Sequence, residues 1–213
     1  MDGNNRWSKK NKKSLFESYS AGANSLIKIS NHIFKNYNIN YVSAFALSKN
    51  NLKRSSRLIS TLKDVLSYFL DQKLKNQDLN FRIKFMGDIS FLNKKVQSKI
   101  NSIQNLNYNK KQTLIIFINY SGQEDILNSI NYSSKYNKKI NIQLFNKNLI
   151  TAGMPDPDLL VRTGGFQRIS DFMLFQLSFT ELLFTKKLWP DLNSSDVDAI
   201  IKKYFNIDRK FGI

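Results

Sequence analysis

The chain has no cysteine in 213 residues, which excludes disulfides, thiolate metal centres and cysteine nucleophiles and fits a reducing compartment such as the cytoplasm. Histidine is nearly absent as well. The one imidazole, His32, lies in the NHIF stretch of an expected helix, so a His-rich metal site is excluded and a Ser-His-Asp arrangement would have to use it. Proline and glycine are scarce, at 3 and 8, and no repeat or Ser-rich linker breaks the chain, so residues 1–213 read as a single domain. Long apolar runs are missing too. The longest, Leu114 to Ile118, falls far short of the roughly 20 residues a membrane-spanning helix needs, and no signal-peptide pattern is present. No Gly-x-x-x-x-Gly-Lys-Ser/Thr loop occurs, which leaves nucleoside triphosphate hydrolysis without a site.

What the chain has in excess is positive charge. The formal net charge of +17 invites a nucleic-acid reading, but the lysines are spread over most of the chain and form no binding signature. No nucleic-acid partner is therefore expected. Affinity for anionic ligands, or a peripheral association with anionic lipid, remains compatible with the charge. The arginines are more informative. There are seven, Arg6, Arg54, Arg57, Arg82, Arg162, Arg168 and Arg209, against 26 lysines. Where Lys fills generic basic positions, a retained Arg points to a place that uses the planar guanidinium fork, as phosphate recognition does.

A hydrophobic content of 41% supports a substantial core. Runs of strand length recur at 41–47, 81–86, 113–118 and 158–163, and several are continuous rather than alternating, as strands buried on both faces are. Between them lie helical periods. Leu26, Ile29, Ile33 and Tyr37 share one stripe; Leu58, Leu62, Val65, Leu66, Phe69, Leu70 and Leu74 form a wider one on a helix expected to end near Asn76. The alternation predicts an α/β fold: a mainly parallel central β-sheet flanked by helices. In such folds ligands bind in the loops beyond the carboxyl ends of strands. Those loops here are SKNNLKR (48–54), GD (87–88), NYSGQED (119–125) and RTGGFQRIS (162–170).

RTGGFQRIS places two arginines six residues apart around two glycines and two hydroxyls, a composition suited to gripping a diphosphate. MDGNNRW, at residues 1–7, adds a carboxylate suited to Mg²⁺, main-chain donors and a further arginine. The wide 58–74 stripe reads first as a core-packing face, and its extra width also leaves one side to line an apolar channel. A diphosphate rim, a hard-metal carboxylate and a greasy interior together describe an enzyme that handles a lipid diphosphate.

The same segments, with SAFALSKNNLKR, INYSGQEDI, PDPDLLVRTGGFQRISDFMLFQLSFTELLFTKKLWPDL and the closing DRKFG, resemble the cis-prenyltransferases, the family of undecaprenyl diphosphate synthase. The resemblance spans essentially the whole chain. It implies Mg²⁺-assisted condensation of isopentenyl diphosphate onto an allylic diphosphate such as farnesyl diphosphate, giving a polyprenyl diphosphate. Matched to the family's motifs, Asp2 handles Mg²⁺ and diphosphate, and Glu181 is the second metal-binding acid. Gly3, Asn4, Asn5, Arg6 and Trp7 form the allylic diphosphate loop. Ser48, Asn51 and Arg54 belong to the second loop, where Asn51 takes part in proton removal. Arg162, Arg168, Ile169 and Ser170 match the isopentenyl diphosphate site. The family also implies a homodimer.

Several positions depart from the family. Leu15 and Tyr19 stand where an arginine and a histidine are usual, Asn50 and Leu52 where a glutamate and a tryptophan are usual. Gln123 replaces an arginine and Phe166 a glutamate. A charge-assisted hydrogen bond lost from a buried site costs about 1.5–3 kcal/mol, so a weakened or non-catalytic partner subunit is the alternative reading. In the family a buried strand precedes the first loop. This chain begins at the loop, so the first strand is expected to be missing, as from a start codon assigned too late.

Overall fold

The computed structural model describes residues 1–53, 55–76, 79–135 and 139–210, with the backbone alone for 73–76. Arg54, the Leu74 side chain and the Phe-Gly of the closing motif lie outside the described residues.

β3 (Thr113–Tyr120) is the organising strand, and all eight of its residues are buried. Its run of Leu, Ile and Phe has no polar face to offer solvent, so it must be covered on both sides and paired on both edges. β1 (Tyr41–Ser48) and β2 (Arg82–Met86) pair with it in parallel, in the order β1-β3-β2. Alternation divides its side chains. Leu114, Ile116 and Ile118 join a large core with Leu26, Leu70, Phe81 and Ile100, whereas Ile115 and Phe117 pack with Met86, Tyr120, Phe172 and Met173. Burying each such side chain stabilises the fold by roughly 1.5–3 kcal/mol.

Helices cover the sheet. α1 (Asn4–Lys10) leads into α2 (Leu15–Asn36), whose start is fixed by a capping box between Ser14 and Glu17. α3 (Ser56–Asn76) crosses from β1 to β2, and α4 (Lys94–Asn105) from β2 to β3. α5 (Gly122–Ser134) and α6 (Ile142–Asn148) follow β3. A second parallel ladder joins β4 (Leu159–Arg162) to β5 (Glu181–Phe184), and α7 (Ser194–Phe205) comes last.

The expected strands and the mainly parallel arrangement are present, and α3 is helical through Asn76, the last described residue of its segment. The parallel strands form two ladders rather than one, and β5 was not among the expected strands. Its four residues ELLF are too few to show a period.

The loop after β2 meets the end of β3 at Gly87, whose φ of 105° is in the left-handed region and where any Cβ would be driven into the Ile118 carbonyl oxygen. Gly87→Ala is expected to destabilise the fold by at least about 2 kcal/mol, read as a lower urea midpoint. An unchanged midpoint would show that the loop is not held this close to β3.

Candidate active site

The first residues are tied to the loop after β4 by one threonine. The buried Thr163 hydroxyl accepts from the Asp2 N–H at 2.9 Å and donates to the Asp2 carbonyl at 2.9 Å. The Trp189 N–H donates to the same carbonyl at 2.9 Å. Asp2 therefore has its main chain satisfied on both sides, which leaves its carboxylate free to point outward.

That carboxylate meets two guanidinium groups. Arg162 donates to Oδ2 at 2.9 Å and Arg6 approaches Oδ1 at 3.5 Å. Arg162 also donates to the Ser170 hydroxyl at 2.6 Å and to the Arg168 carbonyl oxygen. The hub is Arg162, only 14% exposed in its side chain, with Arg6, Arg168 and Ser170 exposed around it. Gly164, at φ 83°, allows the approach: a Cβ there would lie 2.5 Å from the Arg6 Nη2 and 3.2 Å from the Asp2 carbonyl. Ser170 and Asp171 sit at φ 53° and 66°, left-handed conformations that non-glycine residues rarely adopt. The Asp171 carboxylate and carbonyl hold this turn by accepting from the Gln123 and Gly122 N–H groups, which joins the loops after β3 and β4.

The first loop is equally constrained. Gly3, at φ 111°, is buried, and a Cβ on it would lie 2.8 Å from Leu188 Cδ2. Asn4 gives its carbonyl to the Ser18 hydroxyl at 2.6 Å, while its own Oδ1 is buried with no partner. Trp7 donates to Asp191 at 2.6 Å, a contact that fixes the flank of the loop. Asn5 is exposed and Ile169 half-buried. Burial lowers the Met1 α-amino group to about 6, with Asp2 opposing and Arg162 reinforcing the shift.

Behind Asn4 opens a cavity with an empty volume of about 850 Å³ including its mouth. α2 contributes Tyr19, Gly22, Ala23 and Leu26, and α3 contributes Ile59, Leu62, Val65, Leu66 and Phe69. One side of the wide stripe thus lines the cavity, while Leu70 faces the core with 0% exposure. Gly22 matters at the mouth because a Cβ there would lie 2.6 Å from Asn4 Oδ1 and 2.9 Å from Trp189, whose indole donates to the Gly22 carbonyl at 2.9 Å.

The second loop reaches the cavity from β1, whose Ala46 and Leu47 line it just before Ser48. Asn51 donates its backbone N–H to the Ser48 hydroxyl at 3.2 Å. Neither side chain is bonded to the Asp2–Arg162 cluster, and Arg54 lies outside the described residues. Glu181 is also apart. It pairs with Leu159 while Phe184 pairs with Arg162, a separation of roughly 10 Å along β5. Among the described residues no group of three or more His, Asp or Glu could hold a metal by itself. Mg²⁺ often takes only one or two carboxylates and completes its shell with phosphate oxygens and water, and the Asp2 carboxylate fits that habit.

The residues not anticipated as site elements are Thr163, Trp189 and Gly22. Thr163 and Trp189 are buried and reach their partners over more than 160 residues, so no local pattern marks them.

Residues 1–212 match the family model described as "Putative undecaprenyl diphosphate synthase". The isoprenyl transferase of Rickettsia typhi is 34% identical over 215 residues, covering all of this chain and 95% of its own. Among solved structures, lavandulyl diphosphate synthase from Lavandula x intermedia, in complex with dimethylallyl diphosphate, superposes with a TM-score of 0.91 at 29% identity, covering 100% of this chain and 95% of that one. A probable undecaprenyl diphosphate synthase from Campylobacter jejuni gives 0.81 at 28% identity, with 91% and 93% covered.

Thr163→Val keeps the shape of the side chain and removes both of its hydrogen bonds to Asp2. Its expected cost is about 1–3 kcal/mol in urea unfolding, with hydrogen exchange at residues 1–7 accelerated beyond that of the core. Equal protection in parent and variant would show that the first loop is held by other contacts.

Proposed function

The chain belongs to the undecaprenyl diphosphate synthase family and is a prenyl transferase, and on that premise we propose that it condenses isopentenyl diphosphate onto an allylic diphosphate in an Mg²⁺-dependent reaction. The observation that carries the proposal is the convergence of Asp2, Arg6, Arg162 and Ser170 at the rim of an apolar cavity. A diphosphate head and a hydrocarbon tail need those two environments side by side.

In this reading Arg162, Arg168, Ile169 and Ser170 hold isopentenyl diphosphate. The allylic diphosphate sits against Gly3, Asn4, Asn5 and Arg6, its tail along Tyr19, Ala23, Leu62 and Leu66. As the allylic C–O bond breaks, its electron pair leaves with the diphosphate, and the guanidinium groups stabilise the charge that develops there. The isopentenyl double bond then attacks the allylic carbon, and the proton lost afterwards departs toward Asn51 and the released diphosphate. Asp2 would hold Mg²⁺, which supplies positive charge for the leaving group; the resemblance assigns Glu181 as a second metal-binding acid, and it stands apart along β5. The growing apolar chain stabilises itself by occupying the cavity at about 0.8 kcal/mol per buried CH₂.

A homodimer is part of the proposal, supported by apolar side chains exposed at Leu127, Ile130, Ile142 and Leu182. So is a cytoplasmic enzyme associating peripherally with membrane through a lipid product; no described helix is long and apolar enough to cross a membrane. The second reading, a weakened partner subunit, has its own support: Leu52 is packed toward the core and offers no aromatic platform, and Gln123 brings no charge.

Purified protein given Mg²⁺, farnesyl diphosphate and labelled isopentenyl diphosphate should form elongated polyprenyl diphosphate, and chelation by EDTA should stop it. Asp2→Ala should lower turnover by on the order of a thousandfold. Absence of elongation by the parent chain alone, with activity restored by a distinct homologous subunit, would replace the first reading with the second.

A further inference from the structure

Phe166 stands in the middle of the arginines. The guanidinium carbons of Arg168, Arg6 and Arg162 lie 4.2, 5.1 and 5.9 Å from its ring centroid. These cations come from segments far apart in sequence, α1 on one side and the end of β4 with its following loop on the other, and Phe166 is 42% exposed. Gly164 makes the meeting possible, because a Cβ at that position would lie 2.5 Å from Arg6 Nη2.

Three like charges so close repel each other, and one carboxylate partly compensates them. Asp2 pairs with Arg6 and Arg162; among the described residues no carboxylate lies within ion-pair distance of Arg168. Three arginines less one aspartate leave two formal positive charges. A carboxylate at position 166 would hold the arginines together but would cancel one of those charges and compete with phosphate for N–H donors. An aromatic ring acts differently. Its negative face attracts a guanidinium from the flat side and carries no formal charge, so the in-plane N–H edges remain available.

We propose that Phe166 is a positioning residue that gathers Arg6, Arg162 and Arg168 on one ring, presetting a strongly cationic diphosphate site before substrate arrives. This inference rests on reading the site as one that binds diphosphate. It assigns to Phe166 ground-state affinity for the highly charged diphosphate group and leaves the bond-breaking step to the arginines themselves. Pre-arranged arginines lose less freedom on binding, so the benefit appears in Kd and KM.

The test compares the parent with Phe166→Leu, Phe166→Trp and Phe166→Glu. Inorganic pyrophosphate with Mg²⁺ is titrated calorimetrically, and kcat and KM for isopentenyl diphosphate are measured alongside the thermal midpoint. Phe166→Leu is expected to weaken pyrophosphate binding and raise KM on the order of tenfold, with kcat changed less than about twofold and the midpoint retained. Phe166→Trp should return binding to near the parent value, and Phe166→Glu should weaken it and flatten its dependence on salt. Parent-like binding by Phe166→Leu, or failure of Phe166→Trp to restore it, would overturn the role of the ring while leaving the diphosphate reading intact. Failure of the parent itself to bind pyrophosphate would overturn that reading and the inference with it.

Discussion

A single hydroxyl, that of Thr163, holds both main-chain hydrogen-bonding groups of Asp2, and the arrangement of the site depends on that contact. Thr163 is buried and the contact spans 161 residues of sequence. Because the backbone of Asp2 is fixed there, its carboxylate is presented to Arg162 and Arg6, and the start of α1 is aimed at the cavity mouth. A looser joint would leave the same residues present in the sequence and misaligned in space, which is the usual way a site loses its chemistry. The Trp189 N–H on the same carbonyl extends the joint to the segment after β5.

Charge is handled in the same economical way. In a chain of formal net charge +17 most of the excess lies in dispersed lysines, which contribute a general field. The site uses arginine instead. Arg162 makes three directed contacts, to Asp2, Ser170 and the Arg168 carbonyl, because its fork offers several donors in one plane. The left-handed backbone of Ser170 and Asp171 is the strain that accompanies this geometry, and it is held by bonds to Gly122 and Gln123.

Much of the fold was legible in the sequence for physical reasons. β3 reads as a strand because its short apolar run is rich in β-branched and aromatic side chains that suit a strand covered on both faces, and α3 as a helix because its stripe repeats at the helical period. Of the polar segments singled out, the first and the last are brought together through Asp2, Arg6, Arg162 and Ser170, while the 48–54 loop makes no bond to them. Other features were not legible. β5 is four residues long, too short to show a period. The Thr163 hydroxyl reads from sequence as part of the diphosphate-gripping loop, and it is instead spent on the main chain of Asp2 at the far end of the chain. Phe166 read as a departure from the family's pattern, and its position under three guanidinium groups emerges only when α1 and the loop after β4 are folded together.

The cavity completes the account, since its apolar lining begins at Asn4 and continues between α2 and α3, so the charged rim and the greasy interior share a boundary. The most direct measurement is a crystal structure of the protein with Mg²⁺ and inorganic pyrophosphate. The account predicts pyrophosphate bound by Arg162, Arg168 and Ser170, with the Asp2 carboxylate turned toward the metal and its main chain still on Thr163. Pyrophosphate bound elsewhere, or an Asp2 released from Thr163 when the anion binds, would contradict it.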